Sequence, residues 1–335
     1  MQAVRVYIHH LVLITNAIYN TIMKTFSTTL FLSLCLLFVS PCLVAEEFVS
    51  VKSDTAVVEY AVAHATITPV REEPSEAAEQ ATQLLFGEVC EVVDRLPSWT
   101  KIRSTVDGQV GWVSRWMLTS ISSVIASSLS PDRLDAVVAH PIATATPING
   151  GAPLLLTLGT RLPNYSQGTF EVLGQQYRIP SICVNVTTAK QSTGAADLQR
   201  SDLQRSDLIM IAQSLLNTPY LWGGKNAMGL DCSGFTQVVY AAMGVNILRN
   251  AREQVTQGEV VSSLSDVLPG DLAFFNHADR NPEATRITHV GLLLSPTEII
   301  HCAGGCVHID SIAPDGIYTS SGHKTHHLAQ INRYF

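Results

Sequence analysis

The chain has 335 residues and a formal net charge of −7, with 46% hydrophobic and only 15% charged residues. That length admits two or three domains, at about 100–200 residues each. The acidic balance argues against nucleic-acid binding, which needs clustered Lys and Arg to neutralise phosphate.

Much of the apolar excess lies at the start. Residues 30–45 are largely apolar, follow Met23-Lys24, and precede the first acid of the chain, Glu46. A short basic start, an apolar stretch and a small exit residue predict a secretory signal peptide over 1–45, cleaved after Ala45, with Met23 the more natural start. A membrane span needs roughly 20 apolar residues, and Pro41 and Glu46-Glu47 argue against one. A lipoprotein reading through Cys42 is weaker because Pro41 precedes it. The expected location is therefore the periplasm or cell envelope. Without 1–45 the chain keeps 19 basic against 28 acidic residues and five cysteines, Cys90, Cys183, Cys232, Cys302 and Cys306. An odd count leaves at least one thiol unpaired or intermolecular, so this is not a disulfide-stapled miniprotein.

Residues 46–122 and 123–188 read as two small all-β units. Short runs such as Val57-Val58-Glu59-Tyr60, 87–93, 98–102 and 109–113 alternate or stay apolar between Gly and Pro turns, and 152–158, 169–172 and 176–182 follow the same pattern. Many short punctuated strands predict small barrels, with Trp99 and Trp112 as core or hairpin partners. Residues 189–205 are polar and repeat Asp-Leu-Gln-Arg-Ser at 197–201 and 202–206. A five-residue repeat is too short for a solenoid unit and is expected to lengthen a linker or the first turn of the next helix. From Leu208 the apolar spacing becomes helical and opens the last domain, 206–335.

That domain carries the chemistry. Asp231 is a natural N-cap for a helix from Cys232 to Met243, with Gly244 as its C′ residue. The first turn offers free N–H groups, which is expected to lower the Cys232 thiol pKa, although a lone buried cysteine is more often inert. Downstream, 288–294 and 298–303 read as strands. Paired through a three-residue connection, they set Leu294 opposite Glu298 and make His301 the diagonal neighbour of His289, about 7–8 Å away. A connection one residue shorter sends His301 to the other face.

Pro-Tyr-Leu-Trp-Gly-Gly (219–224), Asp-Cys-Ser-Gly-Phe (231–235), Leu-Pro-Gly-Asp-Leu (268–272), Thr-His-Val-Gly (288–291) and Ile-Ile-His (299–301) occur in this order. Together they resemble the NlpC/P60 cysteine peptidases. The resemblance implies an α+β, papain-like catalytic domain behind two bacterial SH3-like barrels. It assigns Cys232 as nucleophile, His289 as base and His301 as its orienter, with the Tyr220 hydroxyl and the Cys232 N–H binding the oxyanion. It further implies hydrolysis of the γ-D-glutamyl–diamino acid bond in murein peptides with a free N-terminal L-Ala, and no cofactor. Glu79 and Asp231 would hold the amino group and Ser233 the D-Glu region, with Trp222, Arg249 and Asn250 completing the subsites. Two positions depart from the pattern: Gln109 stands where a Tyr is usual, and Asn250 where an Asp is usual, which puts specificity in doubt but not the triad.

Three other readings compete. Cys302, Cys306 and His308 invite zinc, but structural sites use closer-set cysteine pairs, so no metal is expected. Cys302 should instead be core, the histidines at 323–327 a solvated loop, and Asp271 a turn former. An amidase or acyltransferase could use the same triad, and a wall-binding module could carry an inactive one.

Overall fold

The structure, a computed structural model, describes residues 58–131, 136–186, 196–277 and 286–334. The expected signal segment 1–45 lies outside the described residues. No described helix is long and apolar enough to cross a membrane.

The first β region contains β1 (Glu59–Ala63), β2 (Ile67–Arg71), β3 (Gln80–Leu85), β4 (Val89–Arg95), β5 (Trp99–Ser104), β6 (Val110–Ser114) and β7 (Leu118–Ile121). They form one antiparallel sheet in the order β3-β2-β6-β5-β4-β1-β7. Alternating residues send Ala61, Val70, Leu84, Cys90, Ile102 and Val113 inward, as a period of two demands. Trp99 and Trp112 stay half-exposed, so the core is aliphatic. They serve instead as cross-strand partners, Trp99 to Ser114 and Trp112 to Lys101.

A short helix α1 (Ser123–Ser128) leads into the second β region: β8 (Ala136–Val138), β9 (Ile142–Pro147), β10 (Leu154–Thr157), β11 (Thr169–Val172), β12 (Gln175–Arg178) and β13 (Val184–Val186). It comprises a four-stranded sheet, β10-β9-β12-β11, and the pair β13-β8. Its core centres on Phe170, which stacks on Tyr177 at 5.1 Å between centroids.

Of the expected linker at 189–205, residues 196–205 belong to a helix and 189–195 lie outside the described residues. Helix α2 (Ala196–Ser214) runs through both copies of the pentad, whose Leu, Gln and Arg are good helix formers. It buries Leu208 and Ala212, and Leu215, just past its end, is buried with them. Helix α3 (Cys232–Ala242) packs on a curved antiparallel sheet. The strands are β14 (Lys225–Asn226) and β15 (Gly229–Leu230) as a separate small ribbon, then β16 (Glu259–Val260), β17 (Leu272–His277), β18 (His289–Ser295), β19 (Glu298–Ala303), β20 (Cys306–Ala313), β21 (Gly316–Tyr318) and β22 (Lys324–Arg333). The main sheet runs β16-β22-β17-β18-β19-β20-β21, and β21 also pairs with β22. Asp271 receives Arg333 at 2.7 Å and its carboxylate oxygen takes the N–H of Leu268, so it locks the turn before β17.

The β18–β19 hairpin reaches the expected register by a different route. Ser295 pairs with Glu298, so the turn is one residue shorter than expected. A bulge at Leu294 absorbs the missing residue, and Leu293 and Leu292 then face Ile299 and Ile300. Without that extra residue in β18 the two histidines would leave the same face.

Candidate active site

Cys232 stands in the first turn of α3, whose N-cap Asp231 accepts the Gly234 N–H at 2.7 Å. Gly234 is required there: a Cβ would lie 2.0 Å from the Gly224 carbonyl oxygen. The expected effect of the helix terminus on the thiol is reversed. Burial, followed by the negative charge of Asp231, pushes the Cys232 pKa up to about 12, against the smaller downward pull of the Val290 and Ser233 backbone and Arg249. Burial outweighs those contacts because desolvation penalises the whole thiolate charge. The thiol is therefore neutral unless a base takes its proton.

His289 opens β18 and lines the same cavity as Cys232. Its Nε2 lies 2.8 Å from Nδ1 of His301. Both rings are buried, and the glycine between them in the sheet makes the approach possible: a Cβ on Gly291 would meet Ile299 at 2.6 Å and the Cβ of His301 at 2.9 Å. On its far side, His301 Nε2 lies 3.3 Å from Oδ2 of Asp310 on β20. The sequence does not single out Asp310, and it offers His326 only within the loop expected at 323–327. His326 belongs to strand β22 and not to a solvated loop, and its ring stacks on His289 at 4.3 Å between centroids.

The cavity, about 640 Å³, is bounded by both the catalytic domain and the first β region, a size that suits a small ligand. Tyr220, Trp222 and Asn250 line it from the former, Glu72, Glu79 and Gln109 from the latter. Burial raises the Tyr220 pKa, so its hydroxyl remains a donor. Gln109 and Asn250, the two departures from pattern, share one tether: Nε2 of Gln109 and Nδ2 of Asn250 both donate to Oε2 of Glu253, each at 3.0 Å.

Asp231 and Ser233 reach the cavity, but Arg249 does not line it. The Arg249 guanidinium is buried and spent on Asp231 at 2.6 and 2.9 Å, Ser233 Oγ at 2.9 Å, Thr82 and the Gly224 carbonyl. Asp231 in turn accepts from Arg249, Ser233 and the N–H groups of Gly223 and Gly234. Its lone pairs are largely committed to holding the turn that carries Cys232, which leaves little for a substrate amine.

Among the described residues no disulfide forms: Cys90, Cys183, Cys232, Cys302 and Cys306 are all free thiols. Cys302 is core, its thiol donating to the Leu230 carbonyl at 3.1 Å. The side chains that converge are not Cys302, Cys306 and His308 but His301, His308 and Asp310, whose ligand atoms lie within 4.8 Å of one another.

Comparison with known proteins fits this geometry. The model described as "NlpC/P60 family" matches residues 217–324, and that described as "Bacterial dipeptidyl-peptidase Sh3 domain" matches 70–116. The chain is 29% identical over 232 residues to a gamma-D-glutamyl-L-lysine dipeptidyl-peptidase of Bacillus subtilis, covering 66% of this chain and 71% of the relative. It is 32% identical over 118 residues to a probable endopeptidase p60 of Listeria grayi, covering 35% of this chain but only 22% of that protein. The fold is similar to the crystal structure of an NlpC/P60 family protein from Bacillus cereus, with a TM-score of 0.66 at 22% identity over 82% of this chain and 99% of the other. The chain belongs to the NlpC/P60 family of cysteine peptidases, with a bacterial dipeptidyl-peptidase SH3 domain ahead of the catalytic domain.

Proposed function

We propose that the protein hydrolyses the γ-D-glutamyl–diamino acid bond of murein peptides that carry a free N-terminal L-Ala. Cys232 attacks the γ-carbonyl and His289 takes the thiol proton, then returns it to the leaving amine as the C–N bond breaks. The Cys232 N–H and the Tyr220 hydroxyl hold the oxyanion. Water then hydrolyses the thioester. His301 holds the His289 imidazole in place, as the third member of such a triad does.

One observation carries the substrate reading: carboxylates of the first β region, Glu72 and Glu79, line the cavity that holds Cys232. They suit an ammonium group, and an ammonium fixed at a set distance from the nucleophile selects a peptide with a free amino end. The cavity cations Arg252 and Arg286 suit the carboxylates that D-Glu and the diamino acid bring. The names of the Bacillus relatives support the same bond type. We read the second β region as a further SH3-like barrel, and the chain as exported to the envelope, where such peptides arise.

A panel of L-Ala-γ-D-Glu-diamino acid peptides, free or N-acetylated, tests this. The free peptides should be cut at the γ-linkage, by mass spectrometry of products, and the acetylated ones should resist. The reverse preference sinks the proposal, as does normal turnover by Cys232→Ala.

A further inference from the structure

Beside Cys232, His289 and His301, a carboxylate touches the far nitrogen of the second histidine, and no assigned role uses it. We infer that Asp310 is a positioning residue: acting through His301, it sets the tautomer of His289 so that Nδ1 keeps the lone pair needed to take the Cys232 proton. This deepens the proposed triad and rests on it.

The inference follows from counting protons. An ionised carboxylate only accepts hydrogen bonds. The 3.3 Å contact between Asp310 Oδ2 and His301 Nε2 therefore places the His301 proton on Nε2. A neutral imidazole has one N–H, which leaves a lone pair on His301 Nδ1. The 2.8 Å contact of that atom with His289 Nε2 then requires the hydrogen on His289 Nε2. The remaining nitrogen of His289, Nδ1, is left as the acceptor. Reversing the first proton reverses the chain: His301 would donate from Nδ1, and neutral His289 would carry its proton on Nδ1 and lose its use as a base.

The protonation states agree. Burial lowers the His301 pKa and holds the ring neutral, against the opposing pull of Asp310. The hydrogen bond from His301, above all, holds the Asp310 carboxyl below its ordinary range, so it is ionised near neutrality. Topology supplies the reach: His301 pairs with His308 across β19 and β20, and Asp310 follows two residues on, on the same face.

His308 contests the carboxylate. Its Nε2 lies 3.3 Å from the same Oδ2, while its Nδ1 faces the Cys306 carbonyl at 2.9 Å. Both partners are acceptors, so only a protonated His308 satisfies both contacts. A metal ion on the three side chains would need the lone pair of His301 Nε2, which is the opposite tautomer.

The test measures kinetics and tautomer together on the full chain. Asp310→Ala should lower kcat roughly 10- to 100-fold with little change in KM, and Asp310→Asn, which keeps a carbonyl acceptor, should recover part of the loss. In nitrogen-15 histidine spectra the unaltered protein should carry the His301 and His289 protons on Nε2, and Asp310→Ala should shift both toward Nδ1. His308→Ala should stay within about twofold of normal kcat, since it removes only the competitor. Unchanged kcat in Asp310→Ala overturns the inference. So does a lowered kcat with both tautomers retained, which would mean a merely structural role, or a requirement for stoichiometric metal revealed by chelation.

Discussion

The two N-terminal β regions stand in contrasting relation to the cavity. The first supplies part of its wall, through Glu72, Glu79, Ala81 and Gln109. Among the described residues the second supplies none of it, and instead supports the back of α3. A Cβ on Gly159 would lie 3.5 Å from Ala241, and Asn185 donates to the Ala242 carbonyl at the end of that helix at 3.0 Å. Small β units in one chain thus sit differently, one forming part of the cavity wall and one backing the catalytic helix, which fits a division between the proposed recognition and support. Their joints differ accordingly. The first region is tied to the catalytic domain by buried polar pairs: Lys225 to Glu88 at 3.0 Å, Gln237 to Asp107 at 3.1 Å and Arg249 to Thr82 at 2.8 Å. At Asp107 burial alone would raise the pKa, but Lys225 and hydrogen bonds from Ser104, Gln109 and Gln237 win and lower it. Directed contacts of this kind fix geometry at the cost of desolvation, which suits a cavity wall.

The proposed base, His289, lies in neither region, so the largest expected effect is in the catalytic domain. His289→Ala should slow alkylation of Cys232 by iodoacetamide at pH 7 by at least about 100-fold. With no proton acceptor, a thiol whose pKa is pushed up to about 12 is protonated below that pH, so labelling should recover only as the pH climbs toward it. Changes in either β region should leave labelling unaltered. Equal labelling of variant and parent at pH 7 would falsify the assignment of the proton to His289.

Next comes the joint. Glu88→Ala strands the buried Lys225 ammonium and should cost about 3–5 kcal/mol of stability in urea unfolding. Replacing both partners, Glu88→Leu with Lys225→Met, should return most of it. A loss below about 1 kcal/mol would mean that the pair does not join the two regions.

How much of this was legible beforehand follows from how local each feature is. Cys232 and its cap lie within four consecutive residues, and the helix they start is written in the spacing of Phe235, Val238, Val239 and Ala242. The hairpin register depended on a bulge at Leu294 that no residue pattern marked, yet the two errors of turn length and bulge cancelled. Asp310 and His326 enter through pairings of β20 with β19 and of β22 with β17, which join segments by sheet order and not by sequence proximity. The resemblance assigns Arg249 to the subsites, as the first member of the pair Arg249-Asn250. Its burial depends on Thr82, 167 residues earlier, and a contact of that kind leaves no local trace.

The recognition task proposed for the first region can be sharpened by one charge. Glu79→Gln keeps the size and removes the negative charge from the cavity wall. The preference for a free over an acetylated amino end should fall about tenfold, roughly 1.4 kcal/mol in kcat/KM. An unchanged preference would shift the amine contact to Glu72 or to the amides of Gln109 and Asn250.

The smallest effect tests the supporting task of the second region. Asn185 side-chain Nδ2 caps the carbonyl of Ala242, one of the acceptors a helix leaves unpaired at its C-terminus. Asn185→Ala should cost about 1 kcal/mol in urea unfolding, because the carbonyl then loses its partner at a half-buried position. Nothing in that change reaches the cavity: Cys232 lies at the opposite end of the same helix, three turns away. The kcat/KM for free-amine peptides and the rate of thiol alkylation should both stay within about twofold of the parent. Loss of activity without loss of stability would show that the second region controls the position of α3 at the nucleophile, and the division of tasks between the two β regions would then fail.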